Sequence, residues 1–461
     1  MEEYRDNNYD ANNVSNRDIE KVVGIEVYST SGIEGIQGTI KSRYKDFIVK
    51  EITHTGHVLE INEDYVSSSY SEETKDNYTS FNLIKINKDT FEAVRIIGKA
   101  LGIDPKTISY AGLKDKRAIS VQQASVRGNY IEELKNLKLQ DIFIRNINPT
   151  KNPVKLGSNW GNNFEITIRN IEDTGSETKR IDDILKKLRS NGFPNYFGLQ
   201  RFGTFRPNSH LIGRYILENE FEKAFEEFVM KTYPSELPQS LKARANLSKT
   251  GNLESAYDTF PKSLNYERWM IKYMIDNPSD YEGAINHLPN YLIKLLISSF
   301  QSYIFNMMLS LRCKRGDSLN SPVKGDIFNI LDDINGNITQ INYIYGGTYD
   351  KYLLKARDLN RAKIVYPLIG YNTDLDEFPP IKKFLLEIFD KEGISVEIFR
   401  NKLLELYEFK GSFRPIITKP LGLNILEYSL DDVFQGKYKL KIEFSLQKGS
   451  YATLLLRELI K

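Results

Sequence analysis

Two segments of strict alternation stand on either side of a long stretch of different texture, and that separation limits the fold more than any other feature. In GNNFEITIRNI (161–171), Phe164, Ile166 and Ile168 point one way and Glu165, Thr167 and Arg169 the other. In YKLKIEFSL, near the end of the chain, Tyr438, Leu440, Ile442, Phe444 and Leu446 share one face. Each strand needs sheet partners and a cover for its apolar side. Between them lie long amphipathic helical patterns, at 211–230 and in LIKLLISSFQSYIFNMMLSLR, whose aromatic and Met residues read as core. One sheet domain interrupted by a largely helical insertion accounts for this order. The expected class is α+β, with a mixed, mainly antiparallel sheet and flanking helices, built from residues 21–203 and 415–461. Residues 204–414 form the insertion, and the polar, Asn- and Asp-rich residues 1–20 a flexible start. At 461 residues the chain suits two or three units on a prior of ~150 residues each.

Local punctuation supports this division. In INKDTFEAVRIIGKALGID, Asp89 caps a helix, Glu92 completes a capping-box-like pair, and Gly102 suits the residue after the helix. Phe91, Val94, Ile97 and Leu101 form its apolar stripe. SETKRIDDILKKLRSNG buries Ile181, Ile184, Leu185 and Leu188 and stops at Gly192. In GTIKSRYKDFIVKEI, Phe47, Val49 and Glu51 alternate with Ile48 and Lys50 as a strand. GDIFNILDDINGNITQINYIY reads as strands joined by an Asn-Gly turn, and Gly449-Ser450 opens a terminal helix.

Charge is balanced overall, 63 Lys and Arg against 61 Asp and Glu, so bulk charge does not announce a nucleic-acid binder. Its distribution is more informative. Between 95 and 127, Arg95, Lys99, Lys106, Lys114, Lys116, Arg117 and Arg127 face only Asp104 and Asp115, and Arg201, Arg206 and Arg214 follow within 194–217 without an acid. A local basic surface on a neutral protein suits a selective binder of phosphate backbones. The single Cys313 rules out an internal disulfide and a Cys-cluster zinc site. The four histidines are scattered, and the His54/His57 spacing in a strand or turn is a poor metal pair. Catalysis would therefore rest on carboxylates, Lys or Tyr, and no metal, phosphate loop or cofactor is expected. No run of ~18 apolar residues suggests a membrane span, and the acidic start is unlike a signal peptide, so a cytoplasmic, monomeric protein is expected.

Within YAGLKDKRAISVQQ (110–123), Asp115 stands among Lys114, Lys116 and Arg117. If those cations are neighbours in space, they favour the ionised carboxylate, which serves as nucleophile, base or electrostatic stabiliser. An exposed, solvated turn explains the tetrapeptide equally well. Ala111-Gly112 permits close backbone approach, and Gln122 and Gln123 stand where strand amides could read a base edge.

ISYAGLKDKRAISVQQ closely resembles the signature of the TruD family of pseudouridine synthases. Further blocks resemble the same family in the same order: IKSRYKDFIVKEI, KLGSNWGNNFEITIR, FPNYFGLQRFGTFRPNSH, FQSYIFN and FSLQKGSYATLLLREL. The resemblance implies an enzyme that converts a uridine of tRNA, in the D arm at position 13, to pseudouridine without a cofactor. It implies that Asp115 is the essential aspartate, that Phe164 packs on the target base, and that Asn162 helps hold the aspartate. Lys41 and Phe47 match the basic and aromatic residues of the first block, and Arg201 falls in a block that closes an active cleft between sheet domain and insertion. Gln122 completes the expected substrate-binding set. Two other readings compete: a non-catalytic RNA-binding protein, and a carboxylate glycosidase acting on nucleosides. The second lacks a partner acid beside Asp115 in the motif.

Overall fold

The structure, a computed structural model, describes residues 17–62, 77–332, 336–347 and 350–461. Among the described residues the chain divides into two compact units, one holding residues 28–193 and 418–461, the other residues 17–27 together with 194–417. Residues 21–27 and 194–203 therefore fall with the second unit and not with the sheet as expected. Hydrogen bonds give the reason. The Asn306 amide donates to the carbonyl of Val23 at 2.9 Å and accepts from the amide of Phe197 at 2.8 Å, while the Ser310 hydroxyl donates to the carbonyl of Gly24 at 2.7 Å. One buried helix stitches both short segments to itself.

The first unit is built on an open eight-stranded sheet. Its strands are β1 (Phe47–Ile52), β2 (Tyr78–Ile86), β3 (Ile108–Tyr110), β4 (Ile119–Arg127), β5 (Ile142–Thr150), β6 (Gly161–Ile171), β7 (Leu421–Leu430) and β8 (Tyr438–Gln447). The order is β7-β8-β6-β1-β4-β2-β5, with β3 added on β4. β1 and β4 run parallel and the other pairings are antiparallel, so the sheet is mixed and mainly antiparallel. Helices α1 (Thr90–Leu101), α2 (Glu177–Asn191) and α3 (Ala452–Ile460) accompany it. α1 begins as its residues dictate: the Asp89 carboxylate accepts from the amide of Glu92 at 2.8 Å, and Gly102 ends the helix at φ 68°. Val94 and Ile97 pack with Phe81, Leu83, Ala124 and Val126 of the sheet. Phe91 departs from the expected stripe, since it is 64% exposed, with its ring edge-to-face with that of Tyr110.

Strand register decides what each face carries. On one side, Val49 and Phe444 flank Phe164, and Glu51 and Leu446 flank Asn162. On the other side, Lys50 pairs with Glu165 at 2.6 Å and Lys441 with Glu165 at 2.9 Å. Every second residue is thus assigned to a polar, ion-paired face or to the face where apolar rings collect.

The second unit contains the helix Asn290–Lys314 and a four-stranded sheet in the order Ser412–Pro415, Ala362–Leu368, Ile327–Leu331, Ile338–Ile344. That helix is long and apolar enough to cross a bilayer, but most of its side chains are buried within the unit, which makes it a core helix. The helical pattern expected across 211–230 breaks in two at Asn219, whose φ of 59° no continuous α-helix accommodates. Asn335 of the expected Asn-Gly turn and residues 1–16 of the expected flexible start lie outside the described residues.

One buried cation ties the approach to β1 to the far hairpin. Arg169 on β6 binds Asp46 at 2.8 Å, Asp431 at 2.7 Å and Asp432 at 2.8 Å. Burial alone would lower its pKa, but hydrogen bonds to Asp46 and Asp432 hold the guanidinium well above its ordinary value. Removing the cation strands two buried carboxylates, Asp46 and Asp431. Arg169→Met is expected to lower unfolding free energy by about 3–5 kcal/mol, read as a fall in the urea midpoint at constant slope.

Candidate active site

Asp115 sits in the loop 111–118, which links β3 to β4. The loop has little freedom. Ala111 accepts from the amide of Gly157 at 2.6 Å, and Gly112 accepts from the side-chain amide of Gln122 at 2.9 Å. The amide of Lys114 donates to the Thr90 hydroxyl at 3.1 Å, and that hydroxyl donates to the Gln122 side chain at 3.1 Å. Lys114 itself runs inward to Glu51 at 2.5 Å, a pair with both side chains buried. The other oxygen of Glu51 accepts from the amide of Gln123 at 2.9 Å. These links join the loop to the turn at Gly157, to strands β1 and β4 and to the first turn of α1.

Against that rigid base the Asp115 side chain is 46% exposed. Its cation comes from far along the chain: Lys41 Nζ lies 2.7 Å from Asp115 Oδ2. Lys41 is buried and holds a left-handed backbone, φ 57°, just before the turn that Arg169 fixes through Asp46. Its ammonium also lies over the ring of Phe47, 4.2 Å from the centroid. Phe47 meets Phe164 edge-on at 6.3 Å, and Phe164 stacks on Phe444 at 5.3 Å with 25° between the rings. Carboxylate, ammonium and three phenyl rings form one continuous series.

The expected residues divide accordingly. Asp115, Lys41, Phe47 and Phe164 come together. Gln122 is fully buried and both ends of its amide are engaged, one by Gly112 and one by Thr90, so it braces the loop. Asn162 stands two residues before Phe164 on the same face but makes no hydrogen bond to Asp115, and its Oδ1 is buried without a partner among the described residues. Arg201 belongs to the second unit, where it donates to the Ser302 hydroxyl at 3.2 Å and lies over the ring of Phe197. The cations beside Asp115 in sequence point elsewhere, Lys114 to Glu51 and Lys116 to Glu92 at 3.6 Å. Arg206, part of the expected basic run, is tied internally to the carbonyls of Glu227 and Phe228.

Two members escaped the sequence reading. Phe444 was visible as an inward strand residue, but its place against Phe164 depends on β8 pairing with β6. Glu51 was visible on the inward side of β1, but an acid at a core position gains meaning only when Lys114 arrives to meet it. Among the described residues, no group of three His, Cys, Asp or Glu side chains gathers as a metal site.

The family model described as tRNA pseudouridine synthase D (TruD) matches residues 22–459. A relative named "Probable tRNA pseudouridine synthase D" from Methanosarcina mazei is 35% identical over 454 residues, covering 96% of this chain and 98% of its own. The protein of the same name from Methanosarcina acetivorans is 36% identical, covering 96% and 97%. A solved crystal structure from Methanosarcina mazei, of a chain assigned as tRNA pseudouridine synthase D, superposes with a TM-score of 0.79 at 33% identity over 96% of this chain and 98% of the other. The chain belongs to the TruD family of tRNA pseudouridine synthases.

The position of Phe164 has a measurable consequence. It is only 7% exposed, and one ring face is already covered by Phe444. Phe164→Ala is therefore expected to lower unfolding free energy by about 3–5 kcal/mol, as for a core aromatic. A loss below about 1 kcal/mol in urea unfolding would mean that the ring does not pack as a core aromatic.

Proposed function

We propose that this chain is an enzyme that isomerises a uridine of tRNA to pseudouridine, with Asp115 as its essential carboxylate. The observation that carries the reading is a half-exposed carboxylate, paired to the buried Lys41 and standing at one end of the Phe47–Phe164–Phe444 series. The reaction breaks the bond from ribose C1′ to uracil N1, turns the base, and joins C1′ to C5. The hydrogen displaced from C5 is balanced by the one gained at N1, so no co-reactant is consumed.

Departure of uracil leaves an electron-deficient C1′, and a carboxylate can compensate that charge as in retaining glycosidases. Lys41 holds one oxygen of Asp115, which directs the group and leaves the other oxygen for the substrate. The target must leave its stack to reach Asp115, and a uridine in a loop or weak pair is the least costly to extrude. The family resemblance points to the D arm, position 13, as the target. Phe47 and Phe164 then form the apolar wall beside the base, with Asn162 Oδ1 as an unengaged acceptor on the same strand.

Incubation of unmodified tRNA transcripts with the protein, followed by chemical mapping, is expected to yield pseudouridine at one D-arm site. Asp115→Asn should lower the single-turnover rate by at least about a thousandfold. Binding, spread over many phosphate contacts, should weaken less than about threefold. Ordinary turnover by Asp115→Asn would remove Asp115 from the chemistry. Absence of pseudouridine in every tRNA would sink the reading itself.

A further inference from the structure

We propose that Lys85, an interior residue of β2, is a positioning residue for Asp115 that acts through the backbone of the reactive loop. The proposal rests on the functional reading of Asp115 given above. Lys85 is fully buried, yet among the described residues its ammonium meets no carboxylate within hydrogen-bonding distance. Its three donors go to three carbonyls: Lys88 at 2.6 Å, Asp115 at 2.8 Å and Lys114 at 3.3 Å. An ammonium has three N–H bonds, so this set uses its full capacity. Two of the three acceptors belong to the reactive loop, and one is the carbonyl of Asp115 itself.

Gln122 and Thr90 secure the start of the loop, and Lys114 reaches inward to Glu51. At Asp115 the carbonyl is gripped by Lys85 and the carboxylate by Lys41. The two lysines hold opposite ends of one residue. Lys41 engages the group that reacts, whereas Lys85 fixes the backbone from which that group projects.

This arrangement has a titration signature that a merely structural lysine would lack. Burial lowers the Lys85 pKa from 10.5 to about 8, against the attraction of Asp115, Asp89 and Glu92 and with the added repulsion of Lys114. Above that pH the amine keeps two donors for three carbonyls. Its effect on stability runs the other way. Between about pH 8 and 10.5 the unfolded chain holds a proton that the folded chain has lost, so this group makes folding more favourable as pH rises. A loss of rate without a loss of stability over that window separates positioning from unfolding.

The test uses the full chain and Lys85→Met, which keeps length and removes the charge. Hydrogen exchange by mass spectrometry should show amides of 112–118 exchanging at least about tenfold faster than in the unaltered protein, with the β6 and β8 amides unchanged. The single-turnover rate on tRNA at pH 7 should fall at least about tenfold, with tRNA affinity within about threefold. In the unaltered protein the rate should decline around pH 8 while the melting temperature holds, and Lys85→Met should lack that step. Unchanged exchange in the loop together with an unchanged rate would overturn the proposal. Should Lys85→Met fail to fold, the unaltered protein alone decides: a rate flat from pH 7 to 9 overturns it, and a decline without melting supports it. Exchange is read without turnover, so absence of pseudouridine formation would fault the functional reading while the loop measurement still judges Lys85.

Discussion

The site depends on an ion pair buried beneath it. Lys114 and Glu51 meet at 2.5 Å with both side chains buried, and the second oxygen of Glu51 accepts from the backbone of β4. A buried pair of this kind adds little stability on balance, because desolvating two charges offsets most of their attraction. What it adds is position. Glu51 can satisfy its oxygens only when Lys114 points into the sheet and β4 lies beside β1 in parallel register. That fixes the residue before Asp115, and the next side chain projects outward. An exposed loop would sample many conformations; this one has one set of partners.

The same geometry explains which parts of the site were legible in the sequence. Residues whose role follows from near neighbours read correctly: Asp89 and Gly102 cap α1, and Ile181, Ile184, Leu185 and Leu188 are buried at helical spacing. The alternation in β6 and β8 held because one face of each strand packs and the other carries ion pairs. Charge was harder. The run Lys114-Asp115-Lys116-Arg117 suggests that Asp115 is neutralised by its neighbours, but successive residues of an extended loop project in different directions. The cation on Asp115 is Lys41, brought there by the left-handed turn before β1. Gln122 shows the opposite limit. An amide four residues past the loop on a strand could face a ligand or the core, and only the placing of Thr90 and Gly112 decides that it faces the core.

Aromatic residues divide by register, not by type. Phe91 falls in a helical stripe but lies at its edge and stays exposed, while Phe47, Phe164 and Phe444 come from strands distant in sequence and meet on one face. Their contact requires β1, β6 and β8 to be adjacent, with Phe444 opposite Phe164. Lys41 then closes the row over Phe47, which lets one ammonium serve a carboxylate and a ring together. The apolar rings withhold water from one side of that ammonium and so strengthen its attraction to Asp115.

How a long segment can be set into such a sheet without disturbing it follows from where the chain leaves and returns. The first unit stops at residue 193 and resumes at 418, and the backbones of Gly192 and Thr418 lie side by side. At Gly192 the backbone turns at φ 70°, and a Cβ there would collide with the carbonyl of Thr418. Only glycine permits so close an approach. Because the chain leaves and returns at backbone already in contact, the sheet is indifferent to the length of chain between these points. The entropy of closing a loop grows only with the logarithm of its length. β8 can therefore pair with β6 from the far end of the sequence, and Phe444 reaches Phe164 as though it had followed directly.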